Sequence, residues 1–533
     1  MSEVHAVEIV VLLLLAFVVL LGIFARKLSV PYPIVMVLGG LAISFVPGIP
    51  HFDLNPDIVF LIFLPPLLYS SAWNTSWRDF KANLVSILFL AFGLVGFTVL
   101  GVSLLAPYVY PGFDWRLGML LGAIVAPTDA IAASAIARRI GLPERIVDIL
   151  EGESLMNDAT GLLALEFARE IIVHEHVPTV TEGLLRLLWL TIGGILVGLA
   201  LAWVIEQIER RLEDATIEIT LSIVSPYVLY LVAERLHASG VLAVVAAGLY
   251  LSVKSVSFFS PATRLKVSSV WESLTFILNG VVFVLIGLQF PQIRSSIHRS
   301  TIIGIVRDGL LFSLLLIALR LVWVFPGARL TYWINTRILN RRLPRLQAKQ
   351  VFVVGWTGMR GVISLAGALA LPVVLMDGSP FPYRNTIMLL TYFVILVTLV
   401  LQGLTLPPLV RWLGLAGADG PNCEELEARR IVTRAAVAHL TEARAQDELR
   451  AADVYDDLIL HYQNHLDSLH HEDNEATQKH NQFMELSLET LRVERETAIG
   501  LRNEGRINDI VLRKIQRELD LNESRLTDEG ESH

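Results

Sequence analysis

Residues 117–137 read LGMLLGAIVAPTDAIAASAIA, and this stretch decides how the chain folds. It is long enough to cross a bilayer as a helix, which takes about 20 apolar residues, yet it contains a single charge, Asp129. Pro127 lacks a backbone N–H and its ring clashes with the preceding turn, so we expect the helix to break just before Asp129. A break exposes half-helix ends and carbonyls that can coordinate a cation in mid-membrane. A simple proline kink, with Asp129 only capping the second half-helix, is the alternative.

The next apolar segment carries a second polar cluster, which reads EGESLMND over residues 151–158. Ser154 and Asp158 are four residues apart and share one helix face, with Asn157 beside them. Hydroxyl, amide and carboxylate oxygens are the ligands that hard cations prefer. Because a charge inside the membrane is costly, this cluster favours a cation site over a polar packing contact between helices.

The composition agrees with a membrane protein. Of the 533 residues, 54% are hydrophobic and 18% are charged, whereas soluble domains carry about 25% charged residues. The mean hydropathy is +0.58. Cys423 is the only cysteine, which excludes a disulfide-rich secreted scaffold. The net charge of -8 argues against a nucleic-acid partner.

Hydropathy predicts an all-α, polytopic fold with about thirteen membrane spans. The first apolar run is interpreted as a retained span rather than a signal peptide, because no Lys or Arg precedes it. The predicted spans lie near residues 7–24, 31–46, 56–73, 84–107, 115–137, 146–173, 184–205, 217–235, 240–253, 270–290, 303–325, 350–371 and 385–410. Away from their ends most of them contain no carboxylate, and the polar clusters fall in the fifth and sixth.

Basic residues concentrate in the loops after odd-numbered spans, although Arg294 and Arg299 depart from this pattern. Such loops face the cytoplasm, so we expect the N-terminus outside and the C-terminus inside. We predict a transmembrane exchanger domain over 1–412 and an acidic helical tail over 413–533. Residues 421–533 contain 14 Lys and Arg against 25 Asp and Glu, and the stretches 424–450 and 483–520 are rich in helix-forming residues.

The twelfth predicted span reads GWTGMRGVIS over residues 355–364. Its three glycines weaken a helix, so we expect a second break around Gly358, Arg360 and Gly361. Two broken helices in corresponding halves would fit an inverted repeat, although the halves show no clear sequence similarity.

Arg320 lies in an apolar segment and needs a carboxylate partner if it is buried. Glu153 is the best candidate, since Asp129 and Asp158 are needed for ions. Snorkelling of Arg320 to the interface is the alternative.

Nothing in the chain resembles a phosphate-binding loop, and no His-Glu-x-x-His occurs. We therefore predict that the protein is not an enzyme and has no cofactor. Membrane lipid and a second copy of the chain are the expected partners.

Taken together, the motifs APTD at 126–129 and EGESLMND at 151–158 resemble the first subfamily of monovalent cation/proton antiporters, the sodium/proton exchangers. The likeness extends over about residues 5–412, and its overall look is that of bacterial members with a cytoplasmic tail. Further matching stretches are FLPPLL at 63–68, SGVLA at 239–243 and GMRG at 358–361.

The resemblance implies roles for individual residues. Asp158 would alternately hold a proton and a cation, in a site formed by Thr128, Asp129, Ser154, Asn157 and Asp158. Asn157 stands where electrogenic relatives have a second aspartate, which implies electroneutral exchange.

The resemblance also implies a buried Glu153–Arg320 pair, a position for Arg360 near the second break, and a six-helix core that moves against a dimerising panel. Many relatives carry an acid where this chain has Ser70, so a role of that acid in cation approach does not transfer.

The function predicted from the sequence is an electroneutral sodium/proton antiporter of the inner or plasma membrane, serving pH and sodium homeostasis by alternating access. Exchange of potassium for protons is one alternative, because no spacing reports cavity size, and Li+ is a further possible cargo. A cation channel gated by the tail is an alternative of a different class.

Overall fold

The structure, a computed structural model, describes residues 3–28, 30–46, 59–110, 112–173, 179–295, 302–341, 344–375, 379–417, 423–446, 452–468, 475–504, 506 and 509–531. The chain divides into two compact units, Met1–Ala418 and Asp419–His533. This division lies close to the predicted boundary at 412/413.

The described residues of the first unit form helices joined by turns and short connections, apart from one isolated β-bridge between Val374 and Pro380. Its first helices are α1 (Glu3–Leu28), α2 (Tyr32–Ser44), α3 (Leu64–Asn74), α4 (Trp77–Leu88), α5 (Val95–Val109), α6 (Trp115–Val125), α7 (Ala130–Arg139), α8 (Glu144–Val173), α9 (Val180–Leu188) and α10 (Gly194–Glu209). They are followed by α11 (Ala215–Arg235), α12 (Gly240–Phe258), α13 (Pro261–Leu288), α14 (Phe290–Ser295), α15 (Ile302–Trp333), α16 (Ala348–Trp356), α17 (Val362–Leu369), α18 (Arg384–Val397) and α19 (Gly403–Leu413).

Short π-helical segments join several of these helices or extend them. They are Val59–Phe63 before α3, Phe89–Leu94 between α4 and α5, Trp189–Gly193 between α9 and α10, Ile334–Ile338 after α15, and Thr398–Gln402 between α18 and α19. Such segments add a residue to a turn without ending the helix. They therefore leave helices long enough to span a bilayer.

Each predicted span overlaps a helix or a broken helix of the structure. By length and apolar composition alone, seven helices within the described part of the chain are able to cross a membrane: Trp77–Val109, Thr181–Glu209, Ala215–Arg235, Gly240–Phe258, Thr263–Leu288, Val306–Ile338 and Arg384–Leu413. Tyr32–Ser44, Val59–Asn74 and Trp115–Val125 are shorter apolar helices. The all-helical, multi-span prediction is confirmed, while the number thirteen stays a prediction.

Helix α8 occupies the centre of the first unit and packs against α4, α6 and α7. A second set of contacts links α2 to α13, α10 to α12, and α3 to α12. The two sets meet around the middle of α8, where the residues from Gly152 to Ala159 are all buried. This arrangement brings the predicted polar cluster on α8 to the interior of the protein.

The described residues of the second unit form the helices α20 (Cys423–Gln446), α21 (Ala452–Ser468), α22 (Glu475–Asn503) and α23 (Asp509–Glu531). Successive helices pack on one another. Arg444 pairs with Asp456 at 2.8 Å. Arg495 of α22 pairs with Glu523 and Asp520 of α23 at 2.5 and 2.7 Å, and these bonds raise the pKa of its guanidinium. The helical character predicted for the tail is confirmed.

Candidate functional site

The first helix break lies between α6, which ends at Val125, and α7, which begins at Ala130. Asp129 caps α7, because its Oδ1 accepts a hydrogen bond of 2.9 Å from the backbone N–H of Ile131. Pro127 lies inside the break, where its missing N–H breaks no helical hydrogen bond. The break and the capping by Asp129 are present where the sequence predicts them.

The second break lies between α16 and α17, and it crosses the first. The backbone N–H of Asp129 donates to the carbonyl of Met359 at 2.8 Å. A Cβ added to Gly361 would lie 2.0 Å from Oδ2 of Asp129, and one added to Gly358 would lie 2.5 Å from Cδ of Arg320. Gly361 is therefore required by the close approach of the two breaks, and Gly358 by the Arg320 side chain that lies against it.

Two buried arginines donate hydrogen bonds to carbonyls at the C-terminal ends of the half-helices. These carbonyls lack intrahelical donors and carry partial negative charge. Arg360 donates through Nη1 to the carbonyl of Ala126 at 2.9 Å. A positively charged side chain of the second break therefore compensates the partial negative charge at the carbonyl end of the first break. Arg320 donates through Nη2 to the carbonyl of Val354 at 3.0 Å, at the end of α16. The crosswise role of Arg360 was not evident from the sequence, because its partner lies 234 residues away.

Arg320 forms the expected ion pair with Glu153. Its Nη1 and Nη2 lie 2.5 and 2.8 Å from the two carboxylate oxygens, a bidentate arrangement. Each residue is only 1% exposed. Snorkelling of Arg320 is therefore wrong for this structure. Glu153 also accepts a hydrogen bond of 3.3 Å from the hydroxyl of Thr128, which ties the pair to the first break.

Thr128 joins the break to α8 through two more hydrogen bonds. The hydroxyl of Ser154 donates to the carbonyl of Thr128 at 2.6 Å, and Nδ2 of Asn157 donates to its Oγ1 at 2.6 Å. Thr128, Ser154 and Asn157 are all nine-tenths or more buried. The uncharged side chains of Ser154 and Asn157 thus hold the break on α8, together with Glu153.

A cavity of about 70 Å³ opens at this junction, enough for a few water-sized particles. Of the five predicted site residues, four line it: Thr128, Asp129, Ser154 and Asp158. Asn157 does not, and holds Thr128 from behind. Apolar residues of α3 and α17 complete the wall.

Asp129 and Asp158 form no ion pair with any residue that the structure describes, and their charges are close enough to interact. Two such carboxylates in a small, apolar-walled cavity attract a proton or a cation.

Two serines of the sequence take places that the motifs did not indicate. Ser364 lines the cavity, and its buried hydroxyl has no hydrogen-bond partner among the described residues, so it is a further oxygen available to a cation. Ser70 lines a different cavity, together with Trp73 and Trp271. The neighbouring Ser71 faces the carboxylates instead.

The chain is also similar to known proteins, both in sequence and in fold. Residues 13–412 match the family model described as "Sodium/hydrogen exchanger, transmembrane". An uncharacterized Na+/H+ exchanger of Mycobacterium tuberculosis is 32% identical, over 98% of this chain and 97% of its own. A sodium, potassium, lithium and rubidium/H+ antiporter of Bacillus subtilis is 35% identical, over 75% of this chain and 61% of its own. The solved structure of the sodium proton antiporter MjNhaP1 from Methanocaldococcus jannaschii superposes with a TM-score of 0.60 at 21% identity, over 78% of this chain and 99% of that one, which shows a shared fold.

Proposed function

The chain belongs to the sodium/hydrogen exchanger family, and we propose that it is an electroneutral antiporter that exchanges sodium for protons by alternating access. The observation that carries this proposal is the pair of acids, Asp129 and Asp158, in one small cavity at the crossing of two broken helices. A carboxylate there can be neutralised by a proton or by a cation, and competition between them at one site couples their fluxes.

The two acids have different surroundings, which supports different roles. Asp129 accepts a backbone hydrogen bond at the N-terminal end of α7, where the helix dipole favours a negative charge. Asp158 lies within the helix α8 and has no such support. Asp158 would therefore gain and lose the proton, while Asp129 stays ionised and, with Thr128 and Ser154, supplies oxygens to the cation.

Transport of this kind needs neither ATP nor a bound cofactor, because the ion gradients drive it. We further propose a cell-membrane location with the N-terminus outside and the tail in the cytoplasm, which the distribution of basic loops supports. A homodimer is proposed from the resemblance described above.

A broader range of cations is a second candidate, favoured by the printed name of the Bacillus relative, which includes potassium, lithium and rubidium. Purified protein in liposomes containing a pH-sensitive dye tests both candidates, with Na+, Li+, K+ and Rb+ added in turn. Saturating dye responses with Na+ and Li+ alone support the narrow range. Cation flux that proceeds without proton movement would contradict an antiporter and support a channel.

Electroneutrality follows from Asn157, which cannot titrate and is engaged with Thr128. One proton then leaves for each monovalent cation that enters, and no net charge moves. We expect the steady-state ion gradient in proteoliposomes to be the same at zero potential and at about 100 mV, where each uncompensated charge is worth about 2.3 kcal/mol. A gradient that follows the clamped potential would show more than one proton per cation.

The tail is proposed to adjust the pH dependence of exchange, because residues 421–533 are acidic and contain seven of the thirteen histidines. Deletion of the chain after residue 420 should leave exchange intact and shift its activity–pH profile. An unchanged profile would remove the regulatory role, leaving a stabilising or dimerising one. Complete loss of transport by correctly inserted protein would make the tail part of the transport machinery.

A further inference from the structure

Three glutamates that do not line the cation cavity are buried where α10 ends and α11 begins. Glu206, Glu209 and Glu218 are 3%, 2% and 1% exposed. The predicted seventh span ends at residue 205 and leaves Glu206 and Glu209 outside it, but α10 continues to Glu209. Glu218 lies near the start of the predicted eighth span, 217–235. The expectation that carboxylates cluster only in the fifth and sixth spans was therefore incomplete.

Glu206 has partners for both oxygens. Arg210 donates to its Oε1 at 2.7 Å, and the hydroxyl of Tyr250 donates to its Oε2 at 2.6 Å. Lys254 of α12 also acts on this carboxylate. The positive charges of Arg210 and Lys254 thus interact with Glu206.

Glu209 and Glu218 lack such partners. Both carboxyl oxygens of Glu218, and Oε2 of Glu209, have no hydrogen-bond partner within the described residues. The two residues come from different helices, α10 and α11, which pack on each other. The phenol of Tyr69, on α3, interacts electrostatically with Glu209. Lys266, on α13, interacts in the same way with the exposed Asp214. No described basic side chain forms an ion pair with Glu209 or Glu218.

Two neighbouring carboxylates buried without a cation cannot both stay ionised, because each opposes the charge of the other and neither is solvated. The helix ends make the two sites unequal. Glu209 is the last residue of α10, at the negative end of the helix dipole, and Glu218 lies in the first turn of α11, at the positive end. The helix ends therefore disfavour a negative charge at the position of Glu209 more than at that of Glu218.

We propose that Glu209 and Glu218 form a proton-binding site separate from the transport site, in which the protonated carboxyl of Glu209 donates to the carboxylate of Glu218. This hydrogen bond supplies an acceptor for the proton and a donor for Glu218, and it ties α10 to α11 across their connection. The ligand is a proton, and the site does not depend on which cation the transport site accepts.

Infrared spectroscopy of the purified full-length protein at neutral pH tests the proton on Glu209. Glu209→Gln should remove a carboxylic-acid C=O stretching band from the wild-type spectrum. Glu213→Gln, an exposed glutamate on the same connection, is the matched control and should leave the band. A wild-type-minus-Glu209→Gln spectrum without an acid band would overturn the assignment.

The pH dependence of thermal stability gives a second readout. The native protein holds a proton that the unfolded chain, with an ordinary glutamate, has lost above about pH 4.3. The folding equilibrium of the wild type should therefore fall by up to tenfold for each unit of rising pH, until the native state releases the proton. Glu209→Gln should remove this contribution to the slope, and Glu213→Gln should keep it.

An unchanged slope in Glu209→Gln would contradict the proton site. Stabilisation of the wild type by added NaCl at constant pH, absent from Glu209→Gln, would also contradict it, because it would show a bound cation in place of the proton. Glu209→Gln preserves size and a hydrogen-bond donor, so loss of folding in this variant at all pH values would likewise count against a neutral Glu209.

Discussion

Replacing Asp158 with asparagine is expected to reduce cation/proton exchange in proteoliposomes to the rate of empty liposomes. The amide keeps the size of the side chain but cannot release a proton or contribute a negative charge to a cation. Asp158 is 7% exposed and lines the cavity with Asp129. Among the described residues Asp129 is the other carboxylate of the cavity, and it cannot replace Asp158 because it caps α7.

Asp148→Asn is the matched control, because Asp148 lies on the same helix α8 but does not line the cavity. Both variants are to be purified and reconstituted at equal density, and dye responses to Na+ compared. The control should exchange at close to the wild-type rate. Near wild-type exchange by Asp158→Asn would contradict the proposed mechanism.

Breaking the ion pair between Glu153 and Arg320 is expected to have the largest effect on stability. Removing one partner leaves the other charge buried and unpaired, which costs about 3–5 kcal/mol. We expect Glu153→Gln and Arg320→Gln each to lower the free energy of unfolding by this amount. The double variant should lose less than the sum, because it contains no unpaired charge. It should still be less stable than the wild type, since the carbonyl of Val354 loses the Arg320 donor.

The pair Arg138–Glu151, in which the arginine is exposed and the Glu151 side chain is 13% exposed, provides a control on the same helix α8. Its nitrogen and oxygen lie 2.8 Å apart, but the arginine side chain is 62% exposed, and such pairs contribute at most about 1 kcal/mol. Denaturant unfolding in micelles measures both cycles. Strict additivity of Glu153→Gln and Arg320→Gln would show that the pair does not act as a unit.

The helix breaks could be predicted from the sequence because their causes are local. Pro127 cannot donate a hydrogen bond in any context, and glycines weaken a helix wherever they occur. The membrane spans were accessible for a similar reason, since the transfer of about 20 apolar residues into lipid outweighs tertiary preferences. The pair Glu153–Arg320 could be predicted by elimination, as a buried arginine needs a carboxylate.

The site formed by Glu209 and Glu218 could not be predicted from the sequence, because the exact end of a membrane helix depends on its neighbours. Glu209 and Glu218 are separated by a short connection that contains Arg210, Arg211, Glu213 and Asp214, a composition typical of an exposed loop. The two glutamates are buried in the folded chain, in which α10 and α11 both pack against α12.

The sequence by itself therefore determined an all-helical membrane protein with two broken helices and a carboxylate at the first break, because helix continuity and the cost of buried charge are properties of short segments. The tertiary structure alone decided that the breaks cross, that Arg360 supplies the carbonyl of Ala126, and that Asn157 stands behind the cavity while Ser364 lines it. The contacts of Arg360 and Ser364 with the first break join segments more than 200 residues apart, and the absence of a side chain at Gly361 lets the two breaks approach, because a Cβ there would overlap Asp129.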